Sequence, residues 1–134
     1  MMNKYSDKSD FEINKAVAEN YLPGDYRYNE NDKIVELISI DLSCEFGSCI
    51  DIEKERVYGK FDPCNNPADA MPIVIENKIA IAFSSNTGKW CAYAGYMMGD
   101  RGWDIYERPT ISAFSDSYYR AAMICFLMIK EVER

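Results

Sequence analysis

The last twenty residues, "SDSYYRAAMICFLMIKEVER", constrain the fold more than any other stretch. Ala121, Ala122, Ile124, Cys125, Leu127, Met128 and Ile129 make this segment apolar around most of a helical circumference. A helix without a solvated face has to be covered, normally against a sheet, so the chain must supply a layered core. Ser115, Asp116 or Ser117 can cap its start, and Lys130 and Arg134 suit the negative end of its dipole. Arg120 is the one charge near the first turn, available to an anion or to a salt bridge with Asp116 or Glu107.

A second helix is expected over about Asp10 to Asn20. Ser9 and Glu12 stand at capping-box spacing, and Phe11, Ile13, Ala16, Val17 and Tyr21 supply an imperfect apolar stripe. Pro23 and Gly24 end it. "YRYNENDK" (Tyr26 to Lys33) reads as a loop, "IVELISIDL" from Ile34 as a strand, "SCEFGSCID" as a turn or bulge, and "CIDIEKERVYGKF" as one or two short strands. "KIAIAF" (Lys78 to Phe83) reads as a buried strand and "WCAYAGY" as its hairpin partner after the "SSNTGK" turn. "MMGDRGWDIYERPT" reads as a surface loop with room for a short strand at Trp103 to Tyr106.

"FDPCNNPADAMPIVIEN" (Phe61 to Asn77) is the most idiosyncratic stretch. Asn66 followed by Pro67 suits an N-cap and first helical position, and Asp69 places a negative charge at the positive end of the helix dipole. Pro72 removes a donor early, which predicts an irregular first turn and a short helix ending near Glu76 or Asn77. Its apolar side is expected to lie on a β-layer shared with the C-terminal helix. The competing reading is a hairpin, "PIVIE" turning through Asn77 and Lys78 into "IAIAF".

Composition excludes several chemistries. The chain has 134 residues, 48% of them hydrophobic, enough for one packed domain. It has no histidine, which removes Ser-His and Cys-His pairs, His general bases and His-containing zinc sites. A formal charge of −7 argues against direct nucleic-acid binding, which needs clustered Lys and Arg. The acids are spread through mixed-charge segments such as "DIEKER", the usual sign of solvated faces. No run is long enough for a membrane span, and the opening residues lack the apolar core of a signal peptide, so a cytosolic protein with reduced cysteines is expected.

Three candidate sites remain. Cys64 near a helix start has the electrostatics of a nucleophile but no histidine base, and a packed small hydrophobe is the plainer reading. Cys44 and Cys49 at C-x4-C spacing lack a second close pair for a zinc site, so no metal and no cofactor are expected. Asp62, Asn65, Asn66 and Asp69, with Arg120, can line a small-anion site, or each can simply turn or cap the chain. Among the aromatics, Trp90 and Tyr93 suit a helix-covered sheet face, whereas Trp103 and Tyr106 are candidates for partner contact.

Three blocks, "KSDFEINKAVAE" (Lys8 to Glu19), "FDPCNNPADAMPIVIEN" and "RAAMICFLMIKE" (Arg120 to Glu131), resemble the NinX-type family of small proteins from lambdoid bacteriophages. Met71 stands where that family's pattern has tryptophan, and Lys78 where a glycine is common after the helix. The resemblance implies a phage accessory gene expressed in the bacterial cytoplasm and implies no enzyme activity. The helix–strand–strand–helix order of the second half is similar to phage α/β/α sandwiches, which supports a helix over Ala70 to Glu76. The expectation is one α+β domain, a mainly antiparallel sheet of about four or five strands with helices on both faces. The expected function is a non-enzymatic module binding a host or phage protein. The alternative is a small-anion or nucleotide-binding module built on the Asp62–Asp69 loop. A carboxylate enzyme comes third, without a residue constellation behind it, and the oligomeric state stays open.

Overall fold

The computed structural model describes residues 4–45, 48–94 and 111–133, with side chains outside 40–55. The first helix, α1 (Asp10–Tyr21), starts where the capping residues predict: Ser9 Oγ accepts the Glu12 N–H at 3.2 Å. It buries Phe11, Ile13, Asn14, Val17 and Ala18, and Pro23 follows its last turn.

The expected loop after it contains a strand, β1 (Asp25–Asn29), paired antiparallel with β2 (Ile34–Glu45). Tyr26 and Tyr28, packed on the core, alternate with polar residues whose turn-forming character hides the strand. Asn29 stabilises the reversal by accepting the Asp32 N–H on Oδ1 at 3.1 Å, and Lys33 takes a left-handed φ of 57° before β2 begins. Strand β3 (Ser48–Phe61) continues the meander as one long strand; the turn or bulge expected over "SCEFGSCID" is taken up by β2 and β3 except at 46–47, which lie outside the described residues. Leu37 pairs with Gly59 and Ile38 with Val57, so Tyr58 is the extra residue of a bulge.

The chain then enters α2 (Pro67–Glu76), so the hairpin alternative falls. Asn66 Oδ1 caps the Ala68 N–H at 3.0 Å, and an Asp69 N–H to Asn66 C=O bond at 3.1 Å tightens the first turn. Pro72 sits on the exposed side, so the helix runs through it. Its end is a Schellman motif: Ile79 N–H reaches Val74 C=O at 3.0 Å and Lys78 N–H reaches Ile75 C=O at 3.3 Å. Val74 and Ile79 are both buried, the apolar contact this motif uses. The motif forces Lys78 to a φ of 54°. Glycine meets no Cβ penalty in that region, so Lys78→Gly is expected to stabilise the protein by about 0.5–1 kcal/mol, read as a higher urea midpoint with unchanged slope.

Strands β4 (Ala80–Ser84), β5 (Lys89–Ala94) and β6 (Ile111–Ser115) form a second antiparallel sheet in the order β4-β5-β6. Gly88, at a φ of 70°, closes the β4–β5 turn as its N–H meets Ser84 C=O at 2.8 Å. Strand β4 departs from the buried strand expected there. It lies at the edge of its sheet, with Ala82 and Phe83 exposed. Strand β6 was not anticipated, because "ISAFS" is short, rich in serine and abuts the helix-capping residues. The strand expected at Trp103 to Tyr106 lies outside the described residues.

The last helix, α3 (Tyr118–Glu133), is capped by Ser117, whose carbonyl accepts the Ala121 N–H at 3.0 Å. Ala121 to Leu127 are all buried. Strands β4, β5 and β6 cover it on one side, α1 and α2 on another, and α1 also meets β2. The all-round apolar helix thus organises the core, as its sequence requires.

The fold is therefore α+β, but the expected single sheet of four or five strands is corrected: the described residues form two three-stranded antiparallel sheets with three helices. Sequence-adjacent strands pair within each half of the chain, which keeps the sheets separate. The helices-on-both-faces expectation also changes. In β6 the α3-facing Ala113 and Ser115 are buried, whereas Ser112 and Phe114 on the other face are exposed. Nor does α2 lie on a β-layer, since it packs chiefly on α3 through Ala70, Ile73 and Val74.

Candidate functional site

Asp62, Asn65, Asn66 and Asp69 do come together, in the turn that carries the chain from β3 into α2. The Asp62 carbonyl accepts the N–H groups of Asn65 at 3.1 Å and Asn66 at 2.8 Å. Asp69 Oδ2 reaches back to the Asp62 N–H at 2.9 Å and takes Asn66 Nδ2 at 3.3 Å. Asn65 Nδ2 donates to the Asp62 carboxylate at 3.1 and 3.3 Å and to Asp10 Oδ2 at 3.2 Å.

Arg120 joins the cluster through α1, not through the residues expected of it. Its Nη1 meets Asp10 Oδ1 at 2.7 Å, in place of Asp116, and Glu107 lies outside the described residues. Its Nη2 donates to the carbonyls of Tyr5 at 3.5 Å, Ser6 at 3.4 Å and Lys8. A rigid five-donor guanidinium suits this convergence of carbonyls better than an ammonium. Tyr5, buried beneath, donates its hydroxyl to Glu131 Oε1 at 2.8 Å, so both ends of α3 hold the segment before α1.

Sequence reasoning missed Asn14. It is buried on α1, donates from Nδ2 to Asp62 Oδ1 at 2.8 Å and accepts the Cys64 N–H on Oδ1 at 3.1 Å. The available signal was a carboxamide beside Ile13 on an otherwise apolar helix face, a position that demands a partner. Cys64 itself is buried, and burial, reinforced by Asp10, pushes its thiol far up, so the reactive thiolate is suppressed. Burial likewise pushes Cys125 up to about 12. Cys44 and Cys49 lie on strands whose side chains there are outside the description. Among the described residues no group of three or more Cys, Asp or Glu is arranged to hold a metal ion.

The electrostatics follow from this inventory. Three carboxylates, Asp10, Asp62 and Asp69, share the donors of three asparagines (Asn14, Asn65 and Asn66), one guanidinium and the local backbone. No buried side-chain nitrogen or oxygen among the described residues lacks a partner. The cluster ties α1, the β3–α2 turn and α3 together.

Elsewhere, Trp90 lies on the α3 side of its sheet, edge-on to Phe83 at 5.2 Å and Tyr118 at 5.1 Å between ring centroids. Tyr93, three residues on, falls on the opposite face, against the expectation that both share the covered one. Trp103 and Tyr106 lie outside the described residues. A groove of about 690 Å³ runs along α1 beside the β1–β2 turn. There Lys15 sits over the rings of Phe11 at 4.9 Å and Tyr28 at 5.2 Å, and pairs with Glu30 at 3.4 Å.

Fold and cluster define a small α+β protein in which the conspicuous polar residues link helices to one another. Residues 4–130 match the family described as Bacteriophage P22, NinX, and the chain belongs to that family. No curated protein and no solved structure matches it. Among the described residues no helix is long and apolar enough to cross a membrane.

Proposed function

We propose that this chain is a single-domain, non-enzymatic phage accessory protein that acts in the host bacterial cytoplasm by binding a host or phage protein. The observation that carries the reading is the β3 bulge, where Val57 (42% exposed) and Tyr58 (64% exposed) stand side by side on the outer strand of their sheet. Consecutive exposed aromatic and aliphatic side chains on a rigid strand suit a partner contact, and tyrosine is enriched where binding energy concentrates. The reading calls for no cofactor. The alternative, a small anion or nucleotide held by Asp62, Asn65, Asn66, Asp69 and Arg120, has less behind it. The donors such a ligand needs already serve internal carboxylates and carbonyls.

The test is a quantitative pull-down from infected cells with the wild type and the Val57→Ser/Tyr58→Ser double variant. A partner retained by the wild type and lost at least about 30-fold by the variant supports the reading, matching a contact worth about 2 kcal/mol. Equal recovery by both proteins contradicts it. A melting-temperature rise with nucleotides or inorganic phosphate would move the support to the anion-binding alternative.

A further inference from the structure

The strand edges of this protein are treated unequally. Along β3 the sequence places Asp51, Glu53, Lys54, Glu55 and Arg56, and the strand is bulged at Tyr58. Charges and bulges are the devices that keep a sheet edge from pairing with another chain. Strand β1, the other outer strand of that sheet, carries the charged residues Asp25 and Arg27, the latter paired with Glu36 of β2 at 2.8 Å. Strand β4, "AIAFS", has none of these devices: it is uncharged, free of proline, and in unbroken register with β5. It is an edge strand of its sheet, with Ala82 exposed and Phe83 54% exposed.

The sequence of β4 is also self-complementary. A two-fold axis through Ala82 sets Ala82 opposite its own copy, Ile81 opposite Phe83, and Ala80 opposite Ser84. Antiparallel pairing of identical strands requires a residue on the axis, and this register meets that requirement with no buried charge. Ile81 and Phe83 fall on the α3-facing side, in line with Ala92 and Trp90 of β5. Each Ile–Phe pair would join a β-branched and an aromatic side chain across strands, a favourable combination. Strand β6, also an edge, fits worse. Centred on Ala113 it would flank the axis with Ser112 against Phe114, polar against apolar, where β4 sets Ile81 against Phe83.

We propose that two copies of this chain pair antiparallel through the β4 edge, centred on Ala82, to form one continuous six-stranded sheet. The occupant is a second copy because this uncharged, proline-free edge meets its own copy with Ala82 on the axis and an Ile81–Phe83 pair on either side of it. The partner-binding surface at Val57 and Tyr58 lies on the other sheet and is a separate matter.

Sedimentation equilibrium of the full chain over a wide concentration range tests this. The expected mass at high concentration is twice 15.4 kDa. Ala82→Lys sets two ammonium groups against each other on the axis and is expected to weaken the dimer at least a hundredfold, and Phe83→Ser at least tenfold. Ser112→Lys on β6 is expected to leave it intact. Circular dichroism verifies that each variant is folded. Amide exchange of the wild type gives a readout independent of any variant, with the β4 amides slowing as concentration rises. A wild type that stays monomeric, a dimer untouched by Ala82→Lys, a dimer split by Ser112→Lys, or β4 exchange indifferent to concentration would each overturn the proposal.

Discussion

Arg120→Ala is expected to cost about 3 kcal/mol, measured by urea unfolding. The substitution removes a guanidinium whose side chain is 16% exposed, leaving Asp10 without its cation and breaking the side-chain bonds to the carbonyls of Tyr5, Ser6 and Lys8. Removing one partner of a well-buried ion pair costs about 3–5 kcal/mol. Asp10 is itself 45% exposed and can recover hydration, so the lower end applies. Arg120→Lys keeps the charge but loses the fork, and is expected to recover no more than about half of the loss. Faster amide exchange over the segment preceding α1 would show that Arg120 holds it; unchanged exchange there would count against that role.

Phe126→Ala should be more damaging still, at about 4 kcal/mol. Phe126 is among the largest fully buried side chains, on the helix that both the β4–β6 sheet and the other two helices cover. Its ring meets Tyr21 edge-on at 6.3 Å, which adds an aromatic contact to the cavity cost. A loss of that size is a large share of the 5–15 kcal/mol typical of a whole domain, so the variant is expected to unfold at sharply lower urea. Phe126→Leu keeps most of the volume and should cost about 1–1.5 kcal/mol. Equal behaviour of the two variants would mean that the site collapses freely and that α3 is not the packing centre.

Locally encoded features were legible in the sequence. The caps at Ser9 and Asn66 are each specified within a few residues and their helices start there, while of the three candidates Ser115, Asp116 and Ser117 the last helix takes Ser117. The apolar circumference of Ala121 to Leu127 announced its own burial. Lys78, noted as standing where the family has a glycine, proves to occupy a left-handed position that favours one.

Pairings between distant residues were not legible. Nothing local distinguishes one sheet from two, because that depends on which strands meet after the chain has folded. Strand β1 was hidden by polar residues between its tyrosines, and β6 by serines adjoining a cap. The cluster shows the same limit. Its turn residues were identified from composition, but the Asp10 that Arg120 meets is 110 residues away, and Asn14 and Asp62 are 48 apart. Turn formers and ligand-binding residues use the same side chains, so only the bonding pattern separates the two roles.

The claim on which the rest depends is that this polar turn is a joint between α1 and α2. A double-mutant cycle on Asn14→Ala and Asp62→Ala, followed by urea unfolding of the unliganded protein, tests it most directly. Each single change is expected to cost about 1–3 kcal/mol, with a coupling of at least about 1 kcal/mol between them. Two near-neutral changes that simply add would contradict the account and return the turn to the list of sites awaiting a ligand.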